Sequence, residues 1–142
     1  MKFRKFSNLD WNVSEIGLGC WQIGWCWGDV SDIDAKDLIK KSLDNGVNFF
    51  DTSDTYGDGR SERFLSEIKK ITKEKIYITT KLGQRKKGKD LDQENNKGFN
   101  FEYMEKFIDR SLKNLNTDCI DLLQLHCPPH EDCADPKTYE LL

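Results

Sequence analysis

Four short apolar runs recur along this chain, Ile16 to Cys20, Val47 to Phe50, Ile76 to Thr80 and Cys119 to Leu125, each separated from the next by a stretch of helical periodicity. Runs of this length are too short for helices and suit buried strands. Strands alternating with helices form successive βαβ units, whose right-handed crossovers build a parallel sheet with its helices outside.

Two folds share that grammar. A doubly wound nucleotide-binding sheet needs a GxGxxG turn that opens the first helix, and the segment GLGCWQIG does not lead straight into one. A (β/α)8 barrel instead gathers functional residues at the C-terminal ends of many strands. Here the four runs are followed by Cys20 and Trp21, by Asp51, by Lys81 and by His126. The pattern therefore predicts an α/β fold of the TIM-barrel type with only the first four βα units or so present.

A short β-hairpin precedes them, from the alternation in Lys2 to Phe6 and Val13 to Ile16 with turn residues SNLDWN between. Trp21, Trp25 and Trp27 then either fill the rim of a core or wall a pocket for a flat ligand. Ser31 or Asp32 caps a helix with Ala35, Leu38, Ile39 and Leu43 at helical spacing, and Gly46 ends it. Ser61 is expected to cap a second helix carrying Phe64, Leu65, Ile68 and Ile71. Between Gly83 and Gly98 the chain reads as a long exposed polar loop that includes the basic cluster Arg85, Lys86, Lys87 and Lys89. Asn100 caps a third helix, with Phe101, Met104, Phe107, Ile108, Leu112 and Leu115 on one face, and Asp135 with Pro136 announces a fourth.

With 142 residues, 37% hydrophobic and 33% charged, the chain has the length and composition of one soluble globular domain. A net charge of -3 with no long basic face argues against a nucleic acid or an anionic membrane as partner. No apolar run is long enough to span a bilayer, and the five cysteines, an odd number without a CxxC pair, suit reduced thiols. The expected location is cytoplasmic.

The segment VNFFDTSDTYGDGRSE places the carboxylate of Asp51 and the phenol of Tyr56 at a strand exit, in a loop marked by Gly57 and Gly59. Taken alone, Asp51 could simply cap a turn on which Tyr56 packs. The recurrence of Lys81 and His126 at other strand ends favours a site. A competing cluster is His126, Cys127, His130 and Cys133, which offers four possible zinc ligands in eight residues. Its spacing fits poorly, because Pro128 and Pro129 stiffen the backbone between them. No metal is assigned, and a metal-binding module stands as a lesser alternative.

The blocks GLGCWQIG, GVNFFDTSDTYGDGRSE, ITTKLG and SLKNLNTDCIDLLQLH resemble, in order, successive signatures of the aldo-keto reductases. The resemblance covers almost the whole chain. It implies a (β/α)8 barrel with the hairpin closing its base, and reduction of an aldehyde or ketone by a nicotinamide cofactor, usually NADPH, with NADH left open. The family's catalytic tetrad falls on Asp51, Tyr56, Lys81 and His126, with Cys20, Trp21 and Asp51 facing the nicotinamide or the substrate. Tyr56 would be the general acid, Lys81 the cation that favours its ionised form, Asp51 the anchor of Lys81, and His126 a donor that orients the carbonyl. A full barrel of this kind takes roughly 250 residues, so residues 1–142 are expected to be the N-terminal half of such a domain. A catalytically silent half barrel, acting by association through its open edges with itself or a partner, is the alternative.

Overall fold

In the computed structural model of the chain, residues 1–24, 28–83, 101–128 and 130–140 are described. The opening hairpin is present, with β1 (Phe3–Lys5) antiparallel to β2 (Asn12–Ser14). Its aromatic residues give it a purpose. Phe6 stacks on Trp11 and on Phe49, and Trp11 stacks on Tyr77 at 4.6 Å between ring centroids. Asn48 adds hydrogen bonds from its side chain to Ser14 and Asn12. The hairpin thus covers the N-terminal ends of the strands that carry Phe49 and Tyr77, as a barrel base requires.

Those strands belong to one parallel sheet in the order β3 (Leu18–Gly19), β4 (Phe49–Asp51), β5 (Tyr77–Leu82) and β6 (Leu122–Leu125). The helices are α1 (Asp32–Asp44), α2 (Arg60–Ser66), α3 (Ile68–Ile71), α4 (Phe101–Leu115) and α5 (His130–Ala134), with short 3₁₀ turns at Gln22–Gly24 and Pro136–Tyr139. This is the expected α/β architecture of the first four βα units. Because side chains alternate along a strand, one sheet face sends Phe50, Ile78, Leu82 and Leu125 into the helices. Phe50 and Ile78 join Ile39 and Leu65 in one core, while Leu82 joins Met104 and Phe107 in a second. The other face carries Gly19, Asp51, Thr79 and Lys81.

Several expectations shift on inspection. Strand β5 runs on to Leu82, so Lys81 lies inside it rather than after it, and Asp51 is the last residue of β4. Ser61 is no cap. The helix starts at Arg60 behind Gly59, whose φ of 81° is the left-handed conformation that favours glycine. Ser61, buried in the first turn, instead donates its hydroxyl to the Cys20 carbonyl at 3.0 Å and accepts from Thr52 Oγ1 at 2.8 Å. Ser31 does cap α1, accepting from the Asp34 amide. Asp135 caps a 3₁₀ turn instead of a longer helix. On α4 the buried stripe is Met104, Phe107, Ser111 and Leu115, and Phe101 is exposed. Trp25, Trp27, Asn100 and the basic cluster from Arg85 to Lys89 lie outside the described residues.

Two buried charged side chains brace the layers. Glu62 accepts hydrogen bonds from Thr80 Oγ1 at 2.7 Å and Asn114 Nδ2 at 2.8 Å, which joins α2 to β5 and α4. Arg60 donates to the carbonyls of Ile23 and Val30 and to Asp32 Oδ1, with its guanidinium over the Phe64 ring. Buried charges persist where every polar atom finds such partners.

Candidate active site

Register decides which side chains meet at the C-terminal edge of the sheet. Asp51 pairs across to Thr79, and Lys81 stands two residues further along β5, on the same face as Thr79. Its stem reaches back so that Nζ lies 2.5 Å from Asp51 Oδ1 and 2.9 Å from the Thr52 carbonyl oxygen. The Lys81 side chain is 14% exposed and that of Asp51 39%, so the pair sits in a mouth where water is partly excluded. Such charge-assisted bonds are shorter and stronger than neutral ones.

Tyr56 comes from the loop of residues 52–59. Lys81 Nζ lies 5.3 Å from the centroid of its ring, and the ring meets His126 edge to face at 5.8 Å. His126 follows β6 directly, and its amide continues the ladder by donating to the Leu82 carbonyl at 2.7 Å. The four expected residues, Asp51, Tyr56, Lys81 and His126, are therefore brought together from two strands and two loops.

Close backbone packing sets the Tyr56 loop. A Cβ placed on Gly24 would lie 2.5 Å from the Tyr56 carbonyl carbon and 2.6 Å from the Gly57 amide nitrogen. Both obstacles are main chain and cannot swing aside. Gly24→Ala is expected to cost about 1–3 kcal/mol of stability, as read by urea denaturation.

Burial, and then the Lys81 ammonium, hold the His126 pKa below its ordinary value, with Asp51 opposing. The folded ring is therefore neutral at pH 7. An unfolded histidine takes its proton near 6.5, whereas the folded one takes it only at lower pH. In between, the unfolded state binds more protons, so stability falls as pH drops through that window and levels off below the folded value. His126→Gln is expected to remove this share of the acid sensitivity, measured by urea titrations at a series of pH values from neutral downward.

Of the residues expected to face a nicotinamide, Cys20 differs from expectation. It follows Gly19, so alternation turns it to the helix side, where it is fully buried among Ile23, Phe50 and Leu65. Its thiol donates to the Leu18 carbonyl. Burial, helped by Asp51, pushes the thiol pKa far above its usual value. Only the backbone of Cys20, whose amide donates to the Asp51 carbonyl, stands near the site. Trp21 remains 40% exposed beside it. A Cβ added to Gly19 would meet nothing within 4 Å. Gly19 lies beside Asp51 in the sheet register.

The alternative metal cluster does not assemble. Cys127, His130 and Cys133 are exposed, and among the described residues no three His, Cys, Asp or Glu side chains are grouped to hold a metal ion. Sequence reasoning also missed Ser53, buried beneath Tyr56 and His126. Its only signal was its place two residues after Asp51, inside TSDTY.

Against known proteins, a model of the aldo/keto reductase family matches residues 15–139. An L-galactose dehydrogenase of Arabidopsis thaliana is 33% identical over 89% of this chain and 38% of its own length. An aldo-keto reductase of Schizosaccharomyces pombe described with NADP(+) is 34% identical over 80% of this chain and 34% of its own. Among solved structures, the holo form of an aldo-keto reductase from Bacillus halodurans superposes with a TM-score of 0.79 at 32% identity, covering 99% of this chain and 45% of that one. The chain thus spans between about a third and just under half the length of these relatives.

Proposed function

The chain belongs to the aldo/keto reductase family, and from that premise we propose that residues 1–142 are the N-terminal half of a carbonyl reductase domain that contributes its proton-transfer machinery. The observation that carries this reading is the single cluster of Asp51, Lys81, Tyr56 and His126 at the C-terminal edge of the sheet.

Reduction of a carbonyl leaves negative charge on its oxygen, and a positioned acid must meet that charge with a proton. Tyr56 supplies it. An ordinary phenol, with a pKa of about 10, gives up its proton reluctantly at neutral pH, and the nearby Lys81 ammonium favours the phenolate left behind. Asp51 holds Lys81 in place. The neutral ring of His126 donates a hydrogen bond that orients the substrate oxygen beside Tyr56. A reduced nicotinamide, when bound, supplies the hydride. Gly19, Trp21 and Asp51 would form part of its seat, and NADPH is favoured over NADH by the S. pombe relative described with NADP(+). The substrate is an aldehyde or ketone. The exposed free thiols of Cys119, Cys127 and Cys133 suit a reducing cytoplasm.

Within the described sheet, β3 and β6 are edge strands. That observation favours a second reading, in which the chain acts without catalysis by pairing with itself or a partner along those edges. The test is made on the protein isolated at its native length. NADPH is titrated by fluorescence, its oxidation is followed with a panel of aldehydes and ketones, and the mass of the particle is measured. Saturable NADPH binding with alcohol formed in equal amount supports the reductase. A discrete dimer that neither binds NADPH nor turns over would overturn it in favour of the second reading.

A further inference from the structure

Ser53 is fully buried in the loop between Asp51 and Tyr56, and its Oγ lies 3.0 Å from His126 Nδ1. A hydroxyl has one proton to donate and two lone pairs to accept with. The Thr55 amide donates to Ser53 Oγ at 3.2 Å, and the Thr55 hydroxyl lies 3.0 Å from it in a contact that either hydroxyl could donate. Besides that hydroxyl, the single Ser53 proton has three acceptors in reach. These are His126 Nδ1 at 3.0 Å, the adjacent Asp54 Oδ1 at 3.2 Å and the Lys81 carbonyl oxygen at 3.4 Å. The imidazole nitrogen is the nearest of them.

We propose that Ser53 is a positioning residue that donates to His126 Nδ1 and so holds the neutral ring as the tautomer with its proton on Nε2. The two nitrogens of a neutral imidazole are distinct, and the bond made by one sets what the other can do. With Nδ1 occupied as an acceptor, Nε2 becomes the donor that a substrate carbonyl requires. Were the tautomer reversed, the nitrogen offered to the substrate would carry a lone pair facing the carbonyl's own lone pairs. The same bond fixes the ring plane against Tyr56, with which it makes the edge-to-face contact. Around the ring the charged and titratable groups are Lys81 on β5, Asp51 on β4, and Asp54 and Tyr56 in the loop.

The consequence for turnover rests on the reductase reading, whereas the tautomer does not, so the experiment separates the two. The protein at native length is labelled with ¹⁵N in its imidazoles, the His126 signals are assigned by their loss in His126→Gln, and long-range ¹H–¹⁵N spectra are recorded above the ring's titration. The expected result in the unaltered protein is a proton on Nε2 with Nδ1 as an unprotonated acceptor. In Ser53→Ala the signals should move toward a mixture of tautomers. Turnover should fall about five- to tenfold, the worth of one neutral hydrogen bond, with NADPH affinity unchanged, and Ser53→Thr should restore both readings. A proton on Nδ1 in the unaltered protein would overturn the assignment even if no variant folds. So would a Ser53→Ala spectrum identical to the parent, or a Ser53→Ala enzyme with undiminished turnover. Absence of any reductase activity, with the Nε2 tautomer lost in Ser53→Ala, would sink the reductase reading and leave the tautomer assignment standing.

Discussion

Replacement of Tyr56 by phenylalanine is expected to lower carbonyl turnover by a factor on the order of 10³, within the range a positioned acid contributes, while NADPH affinity stays nearly unchanged. The physical case rests on how little else the change removes. Phenylalanine keeps the ring, so the edge-to-face contact with His126 and the position beneath the Lys81 ammonium both survive. Only the hydroxyl is lost, and with it the proton that must reach the new alkoxide. Steady-state rates and a fluorescence titration of NADPH on the same preparation make the measurement. Near-normal carbonyl reduction by Tyr56→Phe would remove Tyr56 from the role of acid.

Lys81→Met is expected to act twice. The Tyr56 ring loses the cation 5.3 Å away, so turnover should fall by about two orders of magnitude or more. The Asp51 carboxylate loses its partner at 2.5 Å and the Thr52 carbonyl loses its donor. Because Asp51 is 39% exposed, water can solvate the abandoned charge. The stability cost should therefore lie near the low end for a charged hydrogen bond, about 1–2 kcal/mol. Asp51→Asn combined with Lys81→Met should cost less than the two single losses added together, as coupled neighbours do. The His126 titration offers an independent reading. Lys81 is one of the causes that hold its pKa down, so in Lys81→Met that histidine should titrate closer to its ordinary value. Full activity in Lys81→Met with an unmoved His126 titration would contradict the arrangement.

The four chemically loaded positions were legible because a parallel barrel sheet exposes the C-terminal ends of its strands, and strand ends can be found from where apolar runs stop. Asp51 and His126 fell within a residue of their expected places relative to β4 and β6. Lys81 was found for a partly wrong reason. The polar Lys81 looked like the end of the apolar run, yet β5 continues through it to Leu82, since a lysine can stay in a strand when its partner lies on the same face. Ser61 was misread because its usual preference for helix caps says nothing of a glycine in the left-handed conformation just upstream. Cys20 was misplaced by one step of alternation, which suffices to turn a side chain from the site into the core.

By itself, the sequence determined the order of strands and helices, the class of fold and the identities of the four residues that meet at the sheet edge, because period, turn residues and strand exits are local properties of the chain. Tertiary structure alone decided the register that lets Lys81 reach Asp51, the backbone crossing of Gly24 over Tyr56, the burial that keeps His126 neutral, and the bond from Ser53 that orients it. The contacts among these join residues distant in sequence, from 30 positions for Asp51 and Lys81 to 73 for Ser53 and His126. Contacts across such separations depend on how strands pair and helices pack, and no local pattern encodes them.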